Sequence, residues 1–165
     1  MTPLPADAGA RDHVVVTHEP IDAGALVAWA TRPDCGAVVV FLGVVRDHAE
    51  GRTGVESITY EAYESEAVAA LEAVVADART RWPELGPVAV VHRVGDVAVT
   101  EASVAVVVAS PHRAEAFAAG QHCIDTLKQT APIWKQEHTA SGAEWVRGQP
   151  IRAIRSLDGA ESPTS

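Results

Sequence analysis

Between Gly36 and Val45 the chain reads GAVVVFLGVV, ten residues with no charge and no hydrogen-bonding side chain. The run is half the roughly 20 residues needed to cross a bilayer, and its β-branched content suits a pleated strand. A strand that is apolar at every position is the pattern of one covered on both faces, so the fold must supply a layer on each side of it. It ends by delivering Arg46 beside the polar loop DHAEGRTG. PVAVVHRVG (87–95) and ASVAVVVAS (102–110) read as two further strands, with DVAVTE between them as a short strand or hairpin arm.

The other segments keep clearer periods. HVVVTH (13–18) reads as a strand and DAGALVAWAT (22–31) as a short helix capped by Asp22, with RPDCG as a turn after it. VESITYEAY (55–63) alternates, placing Val55, Ser57, Thr59, Glu61 and Tyr63 on one face of a strand. From Glu64 to Trp82, Val68, Leu71, Val75, Ala78 and Trp82 recur at helical spacing, and Pro83 ends the helix. A third helix follows in SPHRAEAFAAGQHCIDTLKQTAP, with Ser110 as N-cap, Pro111 at the first helical position and Pro132 as the stop. IWKQEHT and EWVRG finish as short extended segments. Strands and helices do not alternate as a Rossmann sheet requires, so the expected class is α+β, with mixed or antiparallel sheets and three helices. One domain over 13–147 is expected, between flexible tails at 1–12 and 148–165.

Composition removes several functions. A net charge of −9 and a pI near 5.1 argue against a nucleic-acid surface, which needs clustered lysine and arginine. The longest apolar runs are too short to span a membrane, and MTPLPADAGARD has neither a basic start nor an apolar signal core, so the chain is expected in the cytoplasm. Cys35 and Cys123 lie far apart with no Cys-x-x-Cys pair, so no metal is expected, and no glycine-rich phosphate loop of either common type is present. An anionic ligand would need a local site, which makes each basic residue informative.

Of the thirteen lysines and arginines only two are lysine, Lys128 and Lys135, on either side of Pro132. At about 100° per residue, Phe117, Ile124 and Lys128 fall within roughly 40° of one another, on or beside the apolar face of the third helix. Two readings of Lys128 stand: an amine partly withdrawn from water and able to exchange a proton or attack, or a lysine whose stem covers core while its charge stays wet. In an extended segment Lys135 and Glu137 share a face, with Trp134 opposite as an anchor. His112 and Arg113 fall in the first turn of the third helix, where free N–H groups and the helix dipole favour an anion, and Arg46 adds a planar fork. Arg113 and Lys128 are about 22 Å apart along one helix, so a single site using both requires a two-fold dimer.

FLGVVR (41–46), YEAY (60–63), HRVG (92–95), SPHRAEAF (110–117), IDTLKQTAPIWKQE (124–137) and EWV (144–146) occur in this order over about two thirds of the chain. Together they resemble the large, catalytic subunit of molybdopterin synthase. The resemblance implies an α/β hammerhead-type domain, a homodimer within a heterotetramer, and a small ubiquitin-like sulfur carrier whose C-terminal Gly-Gly thiocarboxylate enters the active site. The implied reaction transfers two sulfurs to cyclic pyranopterin monophosphate and gives the dithiolene of molybdopterin, with no cofactor. The implied substrate contacts are Val44, Val45, Arg46, His112, Arg113, Lys128, Lys135, Gln136 and Glu137. Lys128 and Lys135 act on the reacting groups, the arginines and His112 hold the phosphate, and Phe41, Ile124 and Trp134 support them. Val44 departs from the polar or basic residue many members carry there, which leaves a backbone contact. The C-terminal arginines Arg147, Arg152 and Arg155 are candidates for docking the carrier. Two other readings compete: a persulfide sulfurtransferase acting through Cys35 or Cys123, and a non-catalytic paralogue that binds a phosphorylated metabolite or the carrier.

Overall fold

The computed structural model describes residues 4–7 and 9–146. The segment expected as a C-terminal tail and the arginines Arg147, Arg152 and Arg155 lie outside the described residues. The elements run β1 (Asp12–Thr17), α1 (Ala23–Ala30), β2 (Ala37–Val44), β3 (His48–Ala49), β4 (Arg52–Thr53) and β5 (Val55–Ala62). They continue with α2 (Glu64–Arg81), β6 (Val88–Arg93), β7 (Gly95–Ala98), β8 (Ala102–Ser110), α3 (Arg113–Thr130), β9 (Ile133–Thr139) and β10 (Gly142–Val146). The class is α+β, as the irregular order of segments predicts.

Two four-stranded sheets organise the chain. The first has the order β1-β6-β8-β2, with β1 and β6 parallel and the other pairs antiparallel. Alternate residues of β6 and β8 point to opposite layers: Val88, Val90, Val104, Val106 and Val108 meet α2 and α3 in the larger core, and Ala89, Val91, Ala105, Val107 and Ala109 meet α1 in the smaller one. The second sheet, β10-β9-β5-β7, is antiparallel throughout. Its inner face meets the first sheet through Val45, Val55, Ile58 and Val97. None of the described helices is long and apolar enough to cross a membrane.

Three sequence expectations need correction. The apolar run of β2 is not covered on both faces: β2 is an edge strand, and α1 is only eight residues long. The α1 helix reaches Val38 but leaves Val40, Leu42 and Val44 as an exposed apolar row. Strands β6 and β8 are the ones buried from both sides. The helix α3 begins later than Ser110 and Pro111 predict, because Ser110 is consumed by β8, paired with Ala37, and His112 becomes the N-cap in an extended conformation. Gly36 permits that crossing, since a Cβ there would lie 2.7 Å from the Pro111 carbonyl oxygen. In β5 a register shift between Val55 and Ser57 turns Val55 inward beside Ile58, while Ser57, Thr59 and Glu61 stay on the wetter face.

The other boundaries follow local chemistry. Asp22 caps α1 by accepting the Ala25 N–H at 2.9 Å. Helix α3 stops with Ala131 as C-cap, one residue before Pro132. At the N-terminal edge, Arg79 of α2 donates to Asp12 and to the backbone carbonyls of Arg11, Leu85 and Gly86, which fastens the start of β1.

Candidate active site

Helix α3 runs alongside β2 in the same direction, with Gly120 against Val39 and Lys128 further on against Phe41. The C-terminal end of α3 and the C-terminal end of β2 therefore lie together. Lys128 is in the last turn of α3 with its Nζ 6.0 Å from the centroid of the Phe41 ring. It is exposed in the isolated chain, as is Phe117 earlier in the same row, whereas Ile124 is buried. The row that contains Lys128 is the rim of the apolar stripe rather than its middle. Withdrawal of Lys128 from water would have to come from a bound substrate or a partner.

Strand β9 brings Lys135 and Glu137 onto the inner face of the second sheet, across from Tyr60 and Ile58 of β5. Glu137 is only 2% exposed, the one buried carboxylate among the described residues. Lys135 Nζ lies 3.4 Å from its Oε1, and Arg52 Nη1 lies 3.6 Å from its Oε2. Oε2 is hydrogen-bonded to no donor among the described residues. Tyr60 joins this group to the first sheet: its phenol lies beside Ser103, whose hydroxyl donates to the Gly43 carbonyl at 3.2 Å, and its ring meets His92 edge-on. Burial pushes the Tyr60 phenol up. Gly43 cannot carry a side chain here without displacement, since a Cβ would fall 2.6 Å from Val104 Cγ1 and 3.4 Å from the Phe41 ring. Phe41, Gly43, Ser103, Tyr60 and Lys135 thus form a continuous floor leading from Lys128 to Glu137.

The remaining expected site residues divide between two places. Val44 is half exposed, Val45 is buried in the third apolar cluster, and Arg46 is exposed just past β2, at the lysine end. Trp134 and Gln136 point to the opposite face of β9 from Lys135, and Trp134 packs edge-on against Tyr63. His112 and Arg113 are exposed at the far end of α3, about 22 Å away along the helix axis, beside the first residues of β2. Within one chain they do not meet Arg46 or either lysine.

Three residues of this arrangement escaped the sequence reading of the site. Arg52 sits in what reads as a polar loop and is presented by the small β3–β4 hairpin, turned by Gly51 at φ 78°. Tyr60 and Ser103 look like ordinary strand residues, and only the approach of the two sheets joins them. The one available signal was that Arg52 is the only arginine or lysine of the loop DHAEGRTG.

A cleft of about 360 Å³ opens next to Glu137, lined by Arg52, Thr53, Thr139, Ser141, Ala143 and Glu144 among others. A smaller one of about 120 Å³ lies by His112 at the other end of α3. The first end offers two amines, two guanidinium groups and a buried carboxylate, a set able to bind an anion and to move protons. The second offers an imidazole, a guanidinium and a helix N-terminus, a set suited to a phosphate.

Comparison with known proteins places the chain in a family. Residues 16–130 match the family model described as MoaE protein. A molybdopterin synthase catalytic subunit from Nostoc sp. is 42% identical over 137 residues, which cover 82% of this chain and 82% of that one. The molybdopterin synthase structure from Staphylococcus aureus superimposes with a TM-score of 0.76 at 32% identity, covering 81% of this chain and 96% of that one. A complex of subunits 1 and 2 of molybdopterin-converting factor from Helicobacter pylori contains the same fold, with a TM-score of 0.67 at 21% identity and 85% and 92% coverage. The chain belongs to the MoaE family, that of the molybdopterin synthase catalytic subunits.

Proposed function

We propose that this chain, with residues 13–147 as its catalytic domain, transfers two sulfurs to cyclic pyranopterin monophosphate in the cytoplasm and so forms the dithiolene of molybdopterin. The donor is the C-terminal thiocarboxylate of a small ubiquitin-like carrier. Each transfer leaves the carrier as a carboxylate, its oxygen supplied by water. The observation that carries this reading is the placement of the chain's only two lysines at one end of the molecule, on two elements parted by Pro132. One stands over an aromatic ring and the other lies 3.4 Å from a buried carboxylate. In this reading Lys128 and Lys135 exchange protons with, or stabilise charge on, the pterin carbon and the thiocarboxylate carbonyl. Arg46, His112 and Arg113 hold the phosphate.

The separation of His112 and Arg113 from the lysines supports a homodimer, and with two carriers a heterotetramer. Because α3 and β2 run in the same direction, antiparallel pairing of two β2 edges about a two-fold axis places the lysine end of one copy beside the α3 N-terminus of the other. The exposed row Val40, Leu42 and Val44 on that edge strand gives such pairing an apolar face to bury. The Helicobacter pylori relative is named as a two-subunit complex, which fits a partner for this chain as well.

The test is reconstitution. The chain, a thiocarboxylated carrier and the cyclic pterin should yield dithiolene product, while Lys128→Ala and Lys135→Ala should each lower the rate by orders of magnitude. A mixture of Arg113→Ala and Lys128→Ala subunits should regain activity, because some mixed dimers then hold one intact site. Absence of product with competent partners would refute the assignment, and absence of rescue would refute the shared site.

A further inference from the structure

Glu137 on β9 and Glu144 on β10 are direct cross-strand partners, an arrangement that sets two carboxylates against each other on one face of the sheet. Arg52 reaches both from the β3–β4 hairpin: Nη2 is 2.7 Å from Glu144 Oε1, and Nη1 is 3.6 Å from Glu137 Oε2. Lys135 approaches the other oxygen of Glu137, at 3.4 Å. Charge-assisted N–H···O bonds normally close to about 2.7–2.9 Å. Arg52 makes its short bond to the exposed Glu144, and Glu137 is left with two cations at loose range.

A buried carboxylate strongly favours whatever cation it can reach. If Lys135 were its sole partner, the flexible four-carbon stem would let the ammonium close onto the carboxylate and stay there. Arg52 changes this balance because its guanidinium is anchored on Glu144 and supplies a second positive charge beside Oε2. Its backbone is fixed as well, since the hairpin is closed by the Val55 N–H donating to the Asp47 carbonyl at 2.9 Å.

We propose that Arg52 is a positioning residue for Lys135: by sharing the Glu137 carboxylate it keeps the Lys135 ammonium from locking onto Glu137, free to turn toward bound substrate. The inference deepens the sulfur-transfer reading and rests on it only for the substrate toward which Lys135 turns. The two cations play unequal parts, Arg52 as fixed compensation and Lys135 as the mobile one.

The scarcity of lysine makes the test direct. In full-length chain labelled with 13C-lysine, two Cε signals are expected, assigned with Lys128→Arg. In Arg52→Gln the order parameter of the Lys135 Cε group should rise while the Lys128 signal, an internal check on the fold, stays in place. Arg52→Lys should restore part of the wild-type mobility. In a Glu137→Gln background, Arg52→Gln should leave Lys135 unchanged, because the path through the carboxylate is gone. In the reconstituted reaction kcat of Arg52→Gln should fall roughly ten- to a hundredfold, the scale of a misplaced reacting group, with KM for the pterin nearly constant. An unchanged Lys135 signal in Arg52→Gln, or an equal change with and without Glu137, overturns the proposal even if kcat falls. The expected signals together with no turnover by any form, wild type included, would uphold the positioning role and overturn the sulfur-transfer reading instead.

Discussion

His92 ties stability to pH in a way that can be measured. It is 6% exposed, on β6 beneath Tyr60, and its Nδ1–H donates to the Arg93 carbonyl at 2.9 Å. Burial pulls its pKa from 6.5 to about 4, so the ring is neutral in the folded chain at pH 5, whereas in the unfolded chain it is protonated. The unfolded state thus binds the extra proton, and the stability present above pH 6.5 is lost as the pH falls toward 4. From these two values the loss between pH 7 and pH 5 is about 2 kcal/mol. Asp77, held low by Arg81 and His122, and Glu101, held low by the Ala98 N–H and Arg93, also weaken the fold in acid. Their effect is common to wild type and variant and drops out of the comparison. His92→Phe keeps a ring against Tyr60 and removes the titration, and His92→Gln keeps an N–H for the Arg93 carbonyl. Urea unfolding followed by tryptophan fluorescence at pH 7 and pH 5 should show wild type losing about 2 kcal/mol more than either variant. At a typical urea slope that is a midpoint difference of about 1 M. Equal losses in all three would refute the argument, whatever constant offset the substitutions introduce.

Other substitutions test other parts of the structure. Gly43→Ala should cost about 1–3 kcal/mol, because the added methyl meets the stiff, buried Val104 and the Phe41 ring that backs Lys128; an unchanged melting temperature would count against this packing. Asp22→Ala should remove about 1 kcal/mol by uncapping α1, and Asp22→Asn should recover most of it in thermal unfolding. Replacing both cysteines with serine should leave the rate of product formation in the reconstituted reaction within a few-fold of wild type. Cys123 is buried with its thiol pushed up to about 11, and burial together with the neighbouring Asp34 raises Cys35, so neither thiol is activated; loss of turnover in a folded double variant would restore the persulfide reading.

What could be read from the sequence follows from how local each feature is. The cap of α1, the end of α3 before Pro132 and the shared face of Lys135 and Glu137 depend on residues within a few positions of one another, and all were legible. The coverage of β2 was not. The ten-residue apolar run that contains it looks like a central strand, and only the order of strands in the sheet decides that β8 takes the middle and β2 the edge. That same fact changes the meaning of the apolar residues, since on an edge strand Val40, Leu42 and Val44 stay uncovered in the isolated chain. The start of α3 failed for a related reason: Ser110 is a good N-cap by propensity, but pairing with Ala37 in β8 consumes it first. At the site, the sequence places Lys135 and Glu137 on one face of an extended segment and says nothing of their burial. Burial of Glu137 between Arg52 and Lys135 makes it a shared carboxylate, and the hairpin that brings Arg52 there lies more than eighty residues away in the chain. Partnerships of that kind are set by how the two sheets meet. The sequence names the amines; the fold decides which counterion each one faces and how tightly.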